Sequence, residues 1–132
     1  MDPAGHTLDL APQPQRVEIA VDGITIAASD RAIVMQETGL PPRHYLPPDD
    51  VRLELTSASP TATACPFKGQ ASYLHFLVDG TEHRDLAWTY ERPINGVEQI
   101  TGLICFFDER VDVTLDGEPQ DRPQTAWSPT AT

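Results

Sequence analysis

The stretch Thr63–Tyr73, TACPFKGQASY, sets a thiol and an amine three residues apart on a Pro/Gly-punctuated turn. Lys68 is the only lysine in the chain; the other eight basic residues are arginines. A cation beside Cys65 would favour its thiolate, the nucleophilic form. The Lys68 ammonium could also hold an anion or neutralise charge developing in a transition state. Thiolate chemistry needs a base as well, and nothing local supplies a histidine. The competing role for Cys65 is a small hydrophobe at the entrance of a strand. Cys105, between Ile104 and Phe106, reads as core.

A second cluster lies upstream in ETGLPPRHYLPPDDV, residues 37–51. Glu37 falls between a strand and a stiff loop, where a buried carboxylate requires a cation, and Arg43 or Lys68 would serve. Tyr45, Tyr73, Trp88 and Tyr90 are the aromatic residues that could wall such a place. The expected ligand-binding set is therefore Glu37, Arg43, Tyr45, Cys65, Lys68, Tyr73, Trp88 and Tyr90. Within it Cys65, Lys68 and Glu37 are the catalytic candidates. Held near each other, Arg43 and Lys68 repel, so an anion is expected between them. Glu37 supplies one negative charge and a bound anion the second.

Other chemistries find less support. The chain has no C-x-x-C, H-E-x-x-H or calcium-loop spacing, and neither G-x-x-x-x-G-K-[ST] nor G-x-G-x-x-G. His75 and His83 become cross-strand neighbours if Asp79-Gly80 is a hairpin turn, but two imidazoles alone do not make a metal site. No metal is assigned, and no cofactor can be named.

The elements that must position these residues are mostly strands. Val17, Ile19 and Val21 alternate with Glu18 and Ala20, as in a half-buried strand. Asp22-Gly23 follows, a hairpin turn whose two positions need positive φ, and Ile24 and Ile26 resume the alternation. Arg31–Gln36 reads as a third strand. Pro41-Pro42 and Pro47-Pro48 exclude a regular helix and a central strand, which leaves a stiff extended connection carrying Arg43, His44 and Tyr45. A helical turn is expected at Pro48, a strand over Val51–Leu55, and a small-residue loop at SASPTAT. Beyond Gly69, Ser72, Leu74, Phe76 and Val78 should share one face of an interior strand. Its partner after Asp79-Gly80 puts Leu86, Trp88 and Tyr90 on one face. A turn near Val97, a buried strand over Leu103–Phe107 and a last strand through Val111, Val113 and Leu115 complete a domain bounded by residues 16 and 115. Residues 1–15 are expected to be a loose arm, and 116–132 a polar flexible tail with Trp127 as its one sticky residue. The expected fold is mainly β: compact, strongly bent antiparallel sheets, a sandwich or folded-over sheet, with at most short helical turns.

The chain has 132 residues and a net charge of −11. The length suits one domain with its own core. The charge argues against nucleic acid and anionic membranes, both of which want a basic face. No apolar run is long enough to span a bilayer. Asp2 and the absence of an apolar run near the N-terminus argue against a signal peptide, so a cytoplasmic location with reduced cysteines is expected. A homo-oligomer is left open.

Three separated motifs occur in order: E-T-G-L-P-P-R-x-Y-x-P-P-x-D-V, T-x-C-P-F-K-G-x-A-S-Y and A-W-x-Y-x-x-P. Together they resemble the bacterial and fungal family numbered four-two-seven in the domain-of-unknown-function series, over about residues 16 to 115. The resemblance implies a compact, mostly β domain and no established reaction. The family has carried a nucleotidyltransferase label. That chemistry uses a Gly-Ser helix entrance followed by closely spaced metal-binding aspartates, and neither Asp49-Asp50 nor Asp112 reproduces it. Three readings follow. The first is a pocket for a small anionic molecule, the second a transferase-type enzyme using Lys68 or Cys65, and the third a non-catalytic interaction or structural module.

Overall fold

A computed structural model describes residues 5–129. Eleven strands form two antiparallel sheets, joined by three single 3-10 turns. The strands are β1 (Leu8–Pro12), β2 (Val17–Val21), β3 (Ile24–Ser29), β4 (Ile33–Glu37), β5 (Arg43–Leu46) and β6 (Thr56–Cys65). They continue with β7 (Gly69–Val78), β8 (Thr81–Thr89), β9 (Ile104–Phe106), β10 (Asp112–Leu115) and β11 (Glu118–Pro119). The larger sheet has the order β1-β4-β5-β9-β8-β7-β6 and the smaller one β11-β10-β2-β3. The fold is mainly β, as expected. The 3-10 turns fall at Pro48–Asp50, Leu53–Leu55 and Glu98–Ile100.

Three Asp-Gly turns punctuate the chain. Asp22, Asp79 and Asp116 have φ of 52°, 48° and 50°, each followed by a glycine with φ between 79° and 81°. This is the geometry of a two-residue hairpin, whose twist matches that of the flanking strands. The first two join β2 to β3 and β7 to β8. The third joins β10 to β11, inside the segment expected to be tail.

The period-2 alternation of the strands divides the core in two. Leu46, Ala87, Ile104 and Phe106 point from the large sheet toward Val17, Ile19, Ile26 and Val113 of the small one, forming the layer between the sheets. Met35, Tyr45, Trp88, Tyr90 and Cys105 point to the opposite face and make a second, aromatic-rich cluster. Val97 and Ile100 of the β8–β9 connection cover that outer face, with Leu8 and Leu10 of β1 packed against it.

Several segments differ from expectation. The stretch between the proline pairs is not a connection: Arg43–Leu46 forms β5, buried at every position and hydrogen-bonded between β4 and β9. The prolines stand just outside it, so all four of its residues keep an N–H for the ladder. SASPTAT lies within β6, an edge strand that pairs only with β7; its register shifts between Ala58 and Ala62, where Pro60 sits. An edge needs no donor on its open side, and a bulge absorbs a proline. In place of a strand at Val51–Leu55, Val51 makes an isolated bridge to Ala27 before the turn at Leu53. Opposite Leu74 and Phe76 a bulge in β8 changes which of its residues face inward, so Leu86 packs between the sheets, away from Trp88 and Tyr90, while Leu74, Phe76 and Val78 share the inner face of β7 and Ser72 is exposed.

The chain ends also carry structure. Within the arm expected over 1–15, Leu8–Pro12 pairs along the whole of β4. Within the expected tail, β11 is followed by a segment that packs back on the domain, as described below. Residues 1–4 and 130–132, where the rest of those two expectations falls, lie outside the described residues.

Candidate functional site

The outer face of the large sheet holds a cavity of about 370 Å³. Seven of the residues expected to bind a ligand line it: Glu37, Arg43, Cys65, Lys68, Tyr73, Trp88 and Tyr90. Tyr45, the eighth, lies beneath the wall, fully buried, with its hydroxyl accepting a hydrogen bond from Trp88 Nε1 at 3.3 Å.

Lys68 is held by its backbone. Pro66 opens a tight turn between β6 and β7 that the Lys68 N–H closes on the Cys65 carbonyl at 3.3 Å. The Lys68 carbonyl accepts from Ile94 N–H at 3.0 Å, so the loop after β8 clasps the turn. Gly69 has φ of 115°, and a Cβ there would meet the Arg92 carbonyl at 3.2 Å; no other residue suits that approach. The ammonium reaches across the cavity to Glu37 Oε1 at 2.8 Å, with the lysine and glutamate side chains only 12% and 7% exposed. Glu37 stands at the last position of β4 and takes a second partner, His6 Nε2, at 3.0 Å. The His6 ring stacks on Phe67 of the Lys68 turn, with centroids 4.1 Å apart. Burial pushes the Glu37 carboxyl up, but the bonds from Lys68 and His6 outweigh it and hold it below its ordinary range.

Arg43 does not share Glu37. Its two terminal nitrogens donate to Glu109 at 2.7 and 2.8 Å, a bidentate pair with side chains 7% and 0% exposed. Burial opposes the charge on Arg43, yet Glu109 raises its pKa above the usual guanidinium value. Burial also acts against the Glu109 carboxylate, but Arg43 and the Thr125 hydroxyl bring it down to about 2. The Arg43 guanidinium lies 5.4 Å from the Trp88 ring and 5.9 Å from those of Phe107 and Trp127.

Glu109, His6, Phe107, Thr125 and Trp127 belong to the site and were not expected there. Phe107 packs against Trp88 at 4.5 Å and lies nearly parallel to Tyr73 at 6.4 Å. The segment after β11 folds back so that the Thr125 hydroxyl donates to Glu109 and Arg110 Nε donates to the Trp127 carbonyl at 2.9 Å. Trp127 thus joins the cavity wall from the far end of the chain. Its isolation as the one large apolar residue in a polar tail was a usable signal.

Chemically, the site combines two carboxylate-paired cations with an aromatic wall. Lys68 spends one of its three donors on Glu37, and Arg43 keeps its Nε–H. Burial, then the nearby Cys65, pushes the Tyr90 phenol up, so it stays protonated. Cys65 is half-buried with a free thiol, and no histidine is bonded to it. Burial pushes the Cys105 thiol far up, consistent with a core role. His75 accepts from the Asp85 N–H at 2.9 Å and His83 approaches Asp22 at 3.4 Å, so the two imidazoles serve different partners. Among the described residues no group of three or more His, Cys, Asp or Glu could hold a metal ion. No helix among them is long and apolar enough to cross a membrane.

A mainly β domain with a charged, aromatic-walled cavity on the outer face of its larger sheet is the class of protein this geometry defines. The chain belongs to the family described as Domain of unknown function (DUF427), whose model matches residues 9–117, from the first strand through the third Asp-Gly turn. No curated protein matches the chain.

Proposed function

We propose that the outer-face cavity binds a small molecule with a flat apolar body and an anionic head. The observation that carries this reading is the Lys68–Glu37 pair, set with little exposure in a cavity walled by Tyr73, Trp88, Tyr90 and Phe107. Such a wall suits the body of a planar ligand, and small-molecule sites commonly combine apolar surface with a few convergent polar groups. The unspent donors of Lys68 and Arg43 Nε–H supply the polar end. Glu37 keeps His6 when a ligand draws on Lys68, so its charge is not abandoned. Cys65 lines the same cavity without a bonded base, which favours binding over thiolate attack.

The test uses 4-hydroxybenzoate and its uncharged counterpart 4-hydroxybenzyl alcohol, followed by tryptophan fluorescence. The carboxylate is expected to bind at least tenfold more tightly, and Lys68→Met to remove that preference. Because Glu37 retains His6, Lys68→Met should lower stability by only about 1–2 kcal/mol, below the range for a buried charge left alone. A large loss of stability with neither probe bound would make the cluster purely structural.

A further inference from the structure

A second cavity, of about 330 Å³, opens on the other face of the same strands, at the rim between the two sheets. Val34 of β4 and His44 of β5 project into it from the large sheet, and Val113 and Leu115 of β10 from the small one. Asp108 lines it too, half-buried, and takes no hydrogen bond or ion pair among the described residues.

The cations within reach are committed elsewhere. Both terminal nitrogens of Arg43 bond Glu109, and Arg122, at the cavity mouth, donates to Asp112 at 3.1 and 3.3 Å. His44 supplies no charge either. The Gln15 N–H donates to Gln13 Oε1 at 3.0 Å, which leaves the Gln13 NH₂ to donate to His44 Nε2 at 3.0 Å. Nε2 is therefore an acceptor, and burial lowers the His44 pKa below its ordinary value, keeping the ring neutral. Asp121, beside Arg122, adds a second acid at the mouth, in a chain whose net charge is −11. A half-buried carboxylate without a counter-ion is left with its charge only partly solvated, and a cation in the cavity would offset that cost.

We propose that this inter-sheet cavity is a binding site for a small organic ammonium, its cation on Asp108 and its apolar body against Val34, Val113 and Leu115. A bare metal ion fits poorly, because among the described residues no three His, Cys, Asp or Glu side chains gather there as ligands. A compact branched amine fits both the volume and the single charge.

The probe is isopentylamine hydrochloride, titrated into the ¹⁵N-labelled full chain at pH 8, with isopentanol as the uncharged match. At that pH Asp108, whose carboxyl burial raises to about 7, is ionised. Amide shifts should cluster at Val34, His44, Val113 and Leu115, and the alcohol should bind at least tenfold more weakly. Asp108→Asn should weaken the amine at least tenfold, whereas Lys68→Met in the other cavity should leave it unchanged. Val34→Phe fills the cavity while leaving the carboxylate in place, and it should abolish binding even if Asp108→Asn proves poorly folded. Shifts elsewhere, equal binding of the alcohol, or amine binding that survives Val34→Phe would overturn the proposal.

Discussion

Asp108 and Glu109 are adjacent acids in one tight turn, closed by the Arg110 N–H on the Phe107 carbonyl at 2.9 Å. Burial acts against both charges, yet their chemistry diverges. Glu109 meets the Arg43 fork and the Thr125 hydroxyl and falls to about 2, whereas Asp108 meets no partner and rises to about 7. One turn thus supplies a fixed charge that pairs with Arg43 behind the outer-face cavity and a charge that titrates near neutrality to the inter-sheet cavity. Burial by itself does not decide a carboxyl's state; its hydrogen-bond donors do.

The largest expected effect comes from breaking the satisfied member. Glu109→Gln leaves the Arg43 guanidinium buried without an anion, which should cost about 3–5 kcal/mol at pH 7, read by urea unfolding. In the wild type the Glu109 contribution is fully present above the ordinary carboxyl range. It should be lost as pH falls from about 4.5 toward 2, because there the unfolded chain binds the proton first. If Glu109→Gln unfolds like the wild type, the pair is not a source of stability.

The unsatisfied member should behave in the opposite sense. Between about pH 4 and about pH 7 folded Asp108 retains a proton that the unfolded chain has released, so stability should fall as pH rises through that window. Asp108→Asn removes this slope and should stabilise the protein at pH 8 by about 2 kcal/mol. That is half of the full linkage of about 4 kcal/mol, because the group is only half-buried. Parallel unfolding curves for wild type and Asp108→Asn from pH 4 to 8 would show that Asp108 has an ordinary carboxyl.

The two cavities also differ in how far the sequence discloses them. The outer-face cavity was largely legible because its residue types are conspicuous: a lone lysine held between Pro66 and Gly69, an acid at a strand end, and Trp88 and Tyr90 alternating on one strand. Lys68 as a partner of Glu37 was among the readings and is found; the rest of the pairing could not be read. Glu37 takes His6 and Arg43 takes Glu109, 31 and 66 residues away along the chain, and such contacts depend on sheet order rather than local pattern. The inter-sheet cavity has no comparable signature, since Val34 and His44 pair across β4 and β5 but meet Asp108, Val113 and Leu115 only once the two sheets stack.

Local chemistry explains the rest of the fold's legibility. Asp-Gly turns and alternating Val and Ile announced β2, β3 and β10. β5 was hidden because proline pairs at both ends read as exclusion, although four donors between them suffice for a short central strand. β6 was hidden because an exposed edge carries small polar residues rather than alternating apolar ones. The bulge between His83 and Ala87 in β8 turned Leu86 away from Trp88 and Tyr90 without leaving a mark in composition.

Trp127 gives the smallest expected effect and the sharpest test of how the two sides are joined. The segment that carries it touches both cavities, with Arg122 and Pro123 at the mouth of the inter-sheet one and Trp127 in the wall of the other. Trp127 is itself 41% exposed, and its main gain is the ring near Arg43 and Phe107, so Trp127→Ala should cost only about 0.5–1 kcal/mol of stability. Its effect on binding should be uneven. The outer-face cavity loses a wall, so 4-hydroxybenzoate should weaken severalfold. Isopentylamine should be indifferent, because Asp108, Val34 and Val113 are untouched. Should both probes weaken together, the C-terminal segment would hold the two cavities as one unit, and the division of the turn between Asp108 and Glu109 would not be a division of function.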